Sequence, residues 1–380
     1  MSITYQSQYK IISASNILIF LLIIPKINIL DISNYHQGIR IENLISMVLC
    51  ILILLNTKKF KINYDYKFYF FCFFIFLSYL VGALNNVNIS IVSALRIFEY
   101  FVFLIFFSNF KLDYKKLIIF FKILFVVNLI FCFLQYHDII GFYSSRGYIE
   151  PDFTLWRATG IFSGSWELSF ITSVTYFIIC HYDKKKISFY FFLTLIILYL
   201  AGNRGVAISF LIANLFLFVG RFKINVFHLV ILFLILFISY FFVLKYYNLD
   251  FFILFESLLR LIFLNENIFA DNFSLKGDQY YSWAYRLKDW AFHADLFNLN
   301  IFTNLFGAGY TSLYYESFIL RVLFANGVIG FFVLCILVLK IKFYMIIFLL
   351  MAGLSLDYVV SFKMFIILFL YFKYSKSLKE

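Results

Sequence analysis

"ISFYFFLTLIILYLAGNRGVAISFLIANLFLFVG", residues 187–220, decides how the rest of the chain is read. Two apolar runs flank a turn of four polar or small residues, and Arg204 stands in that turn just before Gly205. Runs of this kind suit helices in lipid, and so short a turn makes them antiparallel neighbours. A charge at such a junction is expensive unless a partner neutralises it.

The same alternation fills the chain. Of its 380 residues 64% are hydrophobic and 14% charged, with a mean hydropathy of +0.92. A water-soluble domain cannot bury that much apolar surface, so the expected class is one polytopic, all-α membrane protein. A β-barrel would show short alternating segments instead of continuous runs. The net charge of +12 lies in short lysine clusters between the runs, which argues against a nucleic-acid partner. The five cysteines sit inside apolar runs without CxxC spacing and read as packing residues. Pro25 and Lys26 follow the first run with no small-residue cleavage pattern, so that run is read as a retained span.

The runs predict about twelve spans, near 11–25, 41–56, 68–84, 91–107, 117–136, 164–181, 187–202, 205–220, 224–244, 317–339, 343–356 and 358–372. Lysine-rich loops alternate with lysine-poor ones. Lys58, Lys59, Lys61 and Lys67 share one side with Lys111, Lys115 and Lys116, with Lys184 to Lys186, and with Lys340 and Lys342. The positive-inside rule makes that side, and both termini, cytoplasmic. Two longer loops fall outside, 137–163 and 245–316. The second is expected to be folded, with an interfacial helix at 249–263 and another at 278–297 begun by Asp278. The chain divides into N-terminal helices (1–136), a core with both outer loops (137–339), and C-terminal helices with a tail (340–380).

Eight of the nine arginines are assigned away from the inner side, Arg221 being the exception, whereas lysine dominates the inner loops. A guanidinium binds phosphate oxygens in pairs, which an ammonium does not. Arg96 and Arg321 lie roughly 8 Å below the outer interface at 1.5 Å per residue. Arg204 sits at the mouth, and Arg146, Arg157 and Arg286 in the outer loops. Together they suit a phosphate or pyrophosphate carried on a lipid. The plainer readings are a snorkelling Arg204, an Arg96–Glu99 pair and an Arg260–Glu256 pair.

"RATGIF" (157–162), "AGNRG" (201–205), "RLKDW" (286–290), "LFGAGY" (305–310) and "YYESFILRVLFANGVIGFF" (314–332) follow in that order. The arrangement resembles the O-antigen polymerase and O-antigen ligase superfamily of bacterial surface-polysaccharide enzymes, over roughly residues 150–335. The resemblance implies a GT-C-like, metal-independent glycosyltransferase without cofactor. It would take glycan from undecaprenyl pyrophosphate on the periplasmic face of the inner membrane. It also implies pyrophosphate contacts at Arg157, Arg204 and Arg286, with Arg321 in the following span, and a separate chain-length-determining co-polymerase. Ligases of the superfamily resemble "HNxYL" where this chain has "YESFIL". Tyr315 or Glu316 occupies the place of the ligase histidine, which favours a polymerase over a ligase passing glycan to lipid A core. A lipid-linked oligosaccharide flippase is the alternative of another class; it would show paired halves and no large outer loop.

Such a transfer needs the leaving pyrophosphate stabilised, the acceptor hydroxyl activated and both substrates aligned. Arg204 and Arg286 are the expected electrostatic catalysts and Glu316 the expected base. Glu167 is a second candidate base, and His293 reads as a surface residue. Arg157, Arg321, Arg96, Arg146 and Tyr315 are expected to bind substrate. Gly307 and Gly309 would let backbone approach a sugar or phosphate. No DxD, HExxH or clustered metal ligands occur.

Overall fold

The computed structural model describes residues 14–26, 28–33, 37–55, 66–88, 91–110, 112–144, 147–150, 157–183, 188–219, 289–290, 292–310, 317–338, 342–357 and 361–377. Helices account for most of them. These are α1 (Ala14–Ile23), α2 (Ile41–Leu55), α3 (Tyr66–Leu84), α4 (Ile91–Ser108), α5 (Tyr114–Tyr136) and α6 (Ser165–Asp183). Then come α7 (Phe189–Ala201), α8 (Arg204–Val219), α9 (Ile301–Phe306), α10 (Phe318–Val338), α11 (Phe343–Ser355) and α12 (Phe362–Ser377). Every expected span falls on one of these helices except 224–244, which lies outside the described residues. So do the expected helix at 249–263 and most of that at 278–297, of which residues 289–290 and 292–297 are helical.

The all-helical expectation needs one addition. Two small antiparallel hairpins occupy connecting segments, β1 (Asn28–Ser33) with β2 (Gln37–Arg40), and β3 (Phe142–Ser144) with β4 (Gly147–Ile149). β1 and β2 pair with two register irregularities, which blurs the strict alternation by which a strand is read from sequence.

The described chain divides into two compact units, each discontinuous in sequence. The first comprises Met1–Tyr66, Ile91–Ile212 and Met345–Glu380, the second Lys67–Ser90 and Ala213–Tyr344.

In the first unit α6 is central, packed against α5, α7 and α12, and every residue from Glu167 to Cys180 is buried. A helix enclosed all round needs no polar face. Its hydroxyls turn onto their own helix, Ser169 to the Ser165 carbonyl at 2.7 Å and Ser173 to the Ser169 carbonyl at 2.8 Å. Rings fill the remaining space. Tyr100 of α4 stacks on Phe365 of α12 with centroids 4.4 Å apart, and Tyr176, Phe191 and Phe210 join α6, α7 and α8. At one end of the bundle Lys122 pairs with Asp183 at 2.9 Å, and Lys373 caps carbonyls at the end of α4.

In the second unit α9 packs on α10. Asn300 caps α9 through a capping box with Thr303. Helix α10 is broken at Gly327, whose φ of 72° and ψ of 177° lie far from helical values. By length and composition one described helix, the 23-residue α5, suffices to cross a membrane; α1, α2, α7, α8 and α11 are shorter apolar helices.

Candidate functional site

A cluster of charged groups of the first unit lies at the end of the bundle opposite the Lys122–Asp183 pair. Each reaches it for a local reason. Lys26 follows the last turn of α1, Arg40 and Glu42 lie at the β2–α2 junction, Arg96 and Glu99 sit in the first half of α4, Glu167 in the first turn of α6, and Lys363 in the first turn of α12. A small cleft is lined by Arg40, Glu42, Asn43, Arg96 and Glu99, with the rings of Tyr100 and Phe362.

Hydrogen bonds fix the cleft. The Arg40 amide donates to Asn43 Oδ1 at 2.5 Å, and Arg40 Nε donates to Asn28 Oδ1 at 3.0 Å. Asn43 then donates through its amide nitrogen to Glu99. The expected Arg96–Glu99 pair is thus replaced by an Asn43–Glu99 bond. One terminal nitrogen of Arg96 is buried without a hydrogen-bond partner among the described residues, as is Glu42 Oε2.

Below the cleft lies a second layer. Glu167, fully buried, accepts from the Ser163 hydroxyl at 2.8 Å, the Ser163 amide at 3.2 Å and the Ser361 hydroxyl. Its carboxylate is therefore committed to a structural network, and we assign it no role as a base. Lys26 lies 5.1 Å from the Trp166 ring centroid and Lys363 5.0 Å from that of Phe162. Such cation–π contacts offset part of the desolvation of an ammonium. Burial pushes the Lys26 ammonium down to about 8, against the opposing pull of Glu167 and with help from Arg40 and Arg96.

Arg157 and Arg204 are brought to one edge of the first unit. The Ala158 amide donates to the Leu200 carbonyl at 3.0 Å, so the residue after Arg157 is tied to the last turn of α7. Gly202 ends that helix in the left-handed conformation and Arg204 opens α8. Both arginines are exposed. The loop that carries Arg157 is clamped by α5. Gln135 Oε1 accepts from the Thr159 and Gly160 amides at 2.9 and 2.8 Å, and Asn128 Oδ1 from the Ile161 amide at 3.1 Å. Gly160 has a φ of +59°, and a Cβ there would stand 2.4 Å from Asn128 Oδ1. The glycine of "RATGIF" is thus required by this clamp.

Arg321, Gly307 and Gly309 belong to the second unit. Arg321 lies 4.9 Å from the Tyr310 ring centroid, and Tyr310 accepts from Asn326 Nδ2 at 2.8 Å. The expectation for the two glycines changes. A Cβ on Gly307 would stand 2.1 Å from the Ala325 carbonyl oxygen, so its close approach is to this chain's own backbone. The amides of Ala308 and Gly309 donate to the Phe324 and Ala325 carbonyls, which the break at Gly327 leaves without helical partners. "LFGAGY" therefore seals a broken helix. His293 is likewise corrected: it is 1% exposed. Burial and the Arg321 charge push its imidazole down to about 3, which keeps it neutral.

Glu316, Tyr315, Arg286 and Arg146 lie outside the described residues. The sequence reading missed the roles of Lys26, Arg40, Glu42, Asn43 and Lys363. Lys363 carried a usable signal, since it falls within an expected span, where an ionisable side chain marks a functional site by default.

Comparison with protein-family models, curated proteins and solved structures gives no match for this chain.

Proposed function

We propose that this chain is a polytopic membrane glycosyltransferase that polymerises a bacterial surface glycan. It would transfer the growing chain from undecaprenyl pyrophosphate to the non-reducing end of a lipid-linked repeat unit, on the periplasmic face of the inner membrane. The observation that carries the reading is the pairing of "RATGIF" with the turn of "AGNRG", joined by the Ala158–Leu200 bond, with exposed Arg157 and Arg204 at that edge. Two guanidinium groups carried at one edge would suit a leaving pyrophosphate and would stabilise the charge that develops on it.

The membrane part draws support from the surface. Ile119, Ile123, Val126, Ile130 and Phe133 expose an apolar stripe along α5, and Phe189, Phe192, Ile196 and Tyr199 another along α7. Continuous apolar faces of this kind suit lipid. The one-ended grouping of cleft charges fits the alternation of lysine-rich and lysine-poor loops.

The test is deletion of the gene in a host that makes the glycan, with surface polysaccharide displayed on a gel, and complementation by wild type, Arg157→Ala and Arg204→Lys. Core carrying a single repeat, with the long ladder lost, is the expected result. Bare core with long chains still on the lipid carrier would make the protein a ligase, and repeat units held on the cytoplasmic face would make it a flippase.

A further inference from the structure

Two serines of the C-terminal helices reach the segments that carry Arg157 and Arg204, all within the first unit. Asn203 caps α8 by accepting from the Val206 amide at 3.2 Å, which makes Arg204 and Gly205 the first two residues of that helix. Gly205 has no positive φ, so its backbone does not ask for glycine. Its surroundings do. A Cβ there would stand 2.4 Å from Oγ and 3.1 Å from Cβ of Ser355, the last residue of α11. Glycine is a poor helix residue, and it suits a helix where another element comes this close. Ser361, just before α12, donates to Glu167, and Glu167 accepts from the amide and the hydroxyl of Ser163, the residue after "RATGIF". Lys363 lies 5.0 Å from the ring centroid of Phe162, the last residue of that motif.

We infer that Ser355 and Ser361 are positioning residues for the two arginines, so that the C-terminal helices set the geometry of the edge that "RATGIF" and "AGNRG" carry. The inference rests on the glycosyl-transfer reading of that edge. Both serines act through other residues. Ser355 acts through Gly205: it is the wall that fixes how near the first turn of α8 lies to α11, and Arg204 is the adjoining residue. Ser361 acts through Glu167. Arg157 stands at one end of a loop whose amides from Ala158 to Ile161 are bound to α7 and α5, and the Glu167 bonds to Ser163 hold its other end. Recognition of phosphate oxygens by paired guanidinium groups needs their supports locked to within about 0.5 Å.

The test is binding of inorganic pyrophosphate to the purified full chain in detergent, read by titration calorimetry, with unfolding midpoints taken on the same samples. Losing one charge-assisted contact weakens binding about tenfold or more. That loss is expected in Gly205→Ser. The exchange variant, Gly205→Ser with Ser355→Gly, should recover most of it, because it returns the space that the new side chain fills. Ser361→Ala should also weaken binding, and Ser361→Thr, which keeps the hydroxyl, should bind more tightly than the alanine variant. A purely structural role would lower the midpoint and leave the affinity of the folded fraction at the wild-type value; that result overturns the inference. Equal weakening in Gly205→Ser and the exchange variant overturns it too. Should Gly205→Ser not fold, wild-type affinity in Ser361→Ala does the same. Failure of the glycosyl-transfer reading looks different: a wild-type chain that binds no pyrophosphate, or binding unchanged in Arg204→Ala, removes the site itself and the inference with it.

Discussion

Ser361 and Glu167, 194 positions apart in the chain, share a hydrogen bond inside the helix bundle. It joins the start of α12 to the first turn of α6, the pair of helices around which the first unit is built. Glu167 is also the carboxylate that acts most strongly on both Lys26 and Lys363.

Removing that carboxylate alone should be severe. Glu167→Gln removes the carboxylate whose field most favours both buried ammonium groups and weakens its bonds to Ser163 and Ser361, and bonds to a charged acceptor are typically worth about 1.5–3 kcal/mol each. The double variant Glu167→Gln with Lys363→Met should recover part of the loss, because it also removes a cation. Unfolding midpoints of the two variants beside wild type check this; equal midpoints for the single and double variants contradict it.

Gln135 presents a different case. Its side chain satisfies two amides of the loop that carries Arg157 and donates to the carbonyls of Gly141 and Gly160. Gln135→Ala should lower stability by about 1–3 kcal/mol, the range for a buried polar group left unmatched. Gln135→Glu keeps an acceptor for the two amides but sets a carboxylate oxygen against the Gly141 and Gly160 carbonyls that Nε2 serves, so its loss should be no smaller. If the glycosyl-transfer reading holds, the alanine variant also shortens the polysaccharide ladder, because Arg157 loses its anchorage.

How much of this was legible follows from particular residues. The helices could be read because long, unbroken apolar runs separated by lysine or glycine suit buried helices far better than short alternating strands. The hairpin at 28–40 could not, because β1 and β2 are short and slip register twice. Arg157 and Arg204 were legible as arginines beside helix ends, since each stands next to the limit of an apolar run. The cleft was not. Arg40, Asn43 and Glu99 are brought together by an Asn43–Glu99 bond across 56 positions, and no local spacing encodes that. His293 was misread for the complementary reason: its neighbours in sequence look amphipathic, but its burial is set by the fold around it.

That burial makes a pH prediction. The His293 imidazole titrates near 3 in the folded protein and near 6.5 when unfolded. Between those values the unfolded chain binds a proton that the folded chain refuses, so stability rises with pH across this window and is lost as pH falls through it. His293→Gln should flatten the slope of unfolding free energy against pH between about 3 and 6.5. Chemical denaturation at several pH values reads the difference, and an unchanged slope would contradict the assignment of a neutral buried histidine.

Gly327 should tolerate no side chain. Its φ of 72° with ψ of 177° is open essentially to glycine alone, and a Cβ would stand 2.3 Å from the Leu305 carbonyl oxygen. Gly327→Ala should destabilise by about 1–3 kcal/mol from backbone strain, and more once the clash with "LFGAGY" is added. The measurement is the unfolding midpoint and the yield of folded protein.

The break at Gly327 also bears on the order in which the chain is made. The carbonyls of Phe324 and Ala325 are satisfied by the amides of Ala308 and Gly309, and apolar side chains cannot substitute for those donors. Residues 305–310 leave the ribosome before residues 318–338. The patch is therefore synthesised ahead of the gap it covers, and α10 can be completed as soon as it emerges. Exchanging the order of these two segments by circular permutation would leave a newborn helix with bare carbonyls and nothing yet made to meet them.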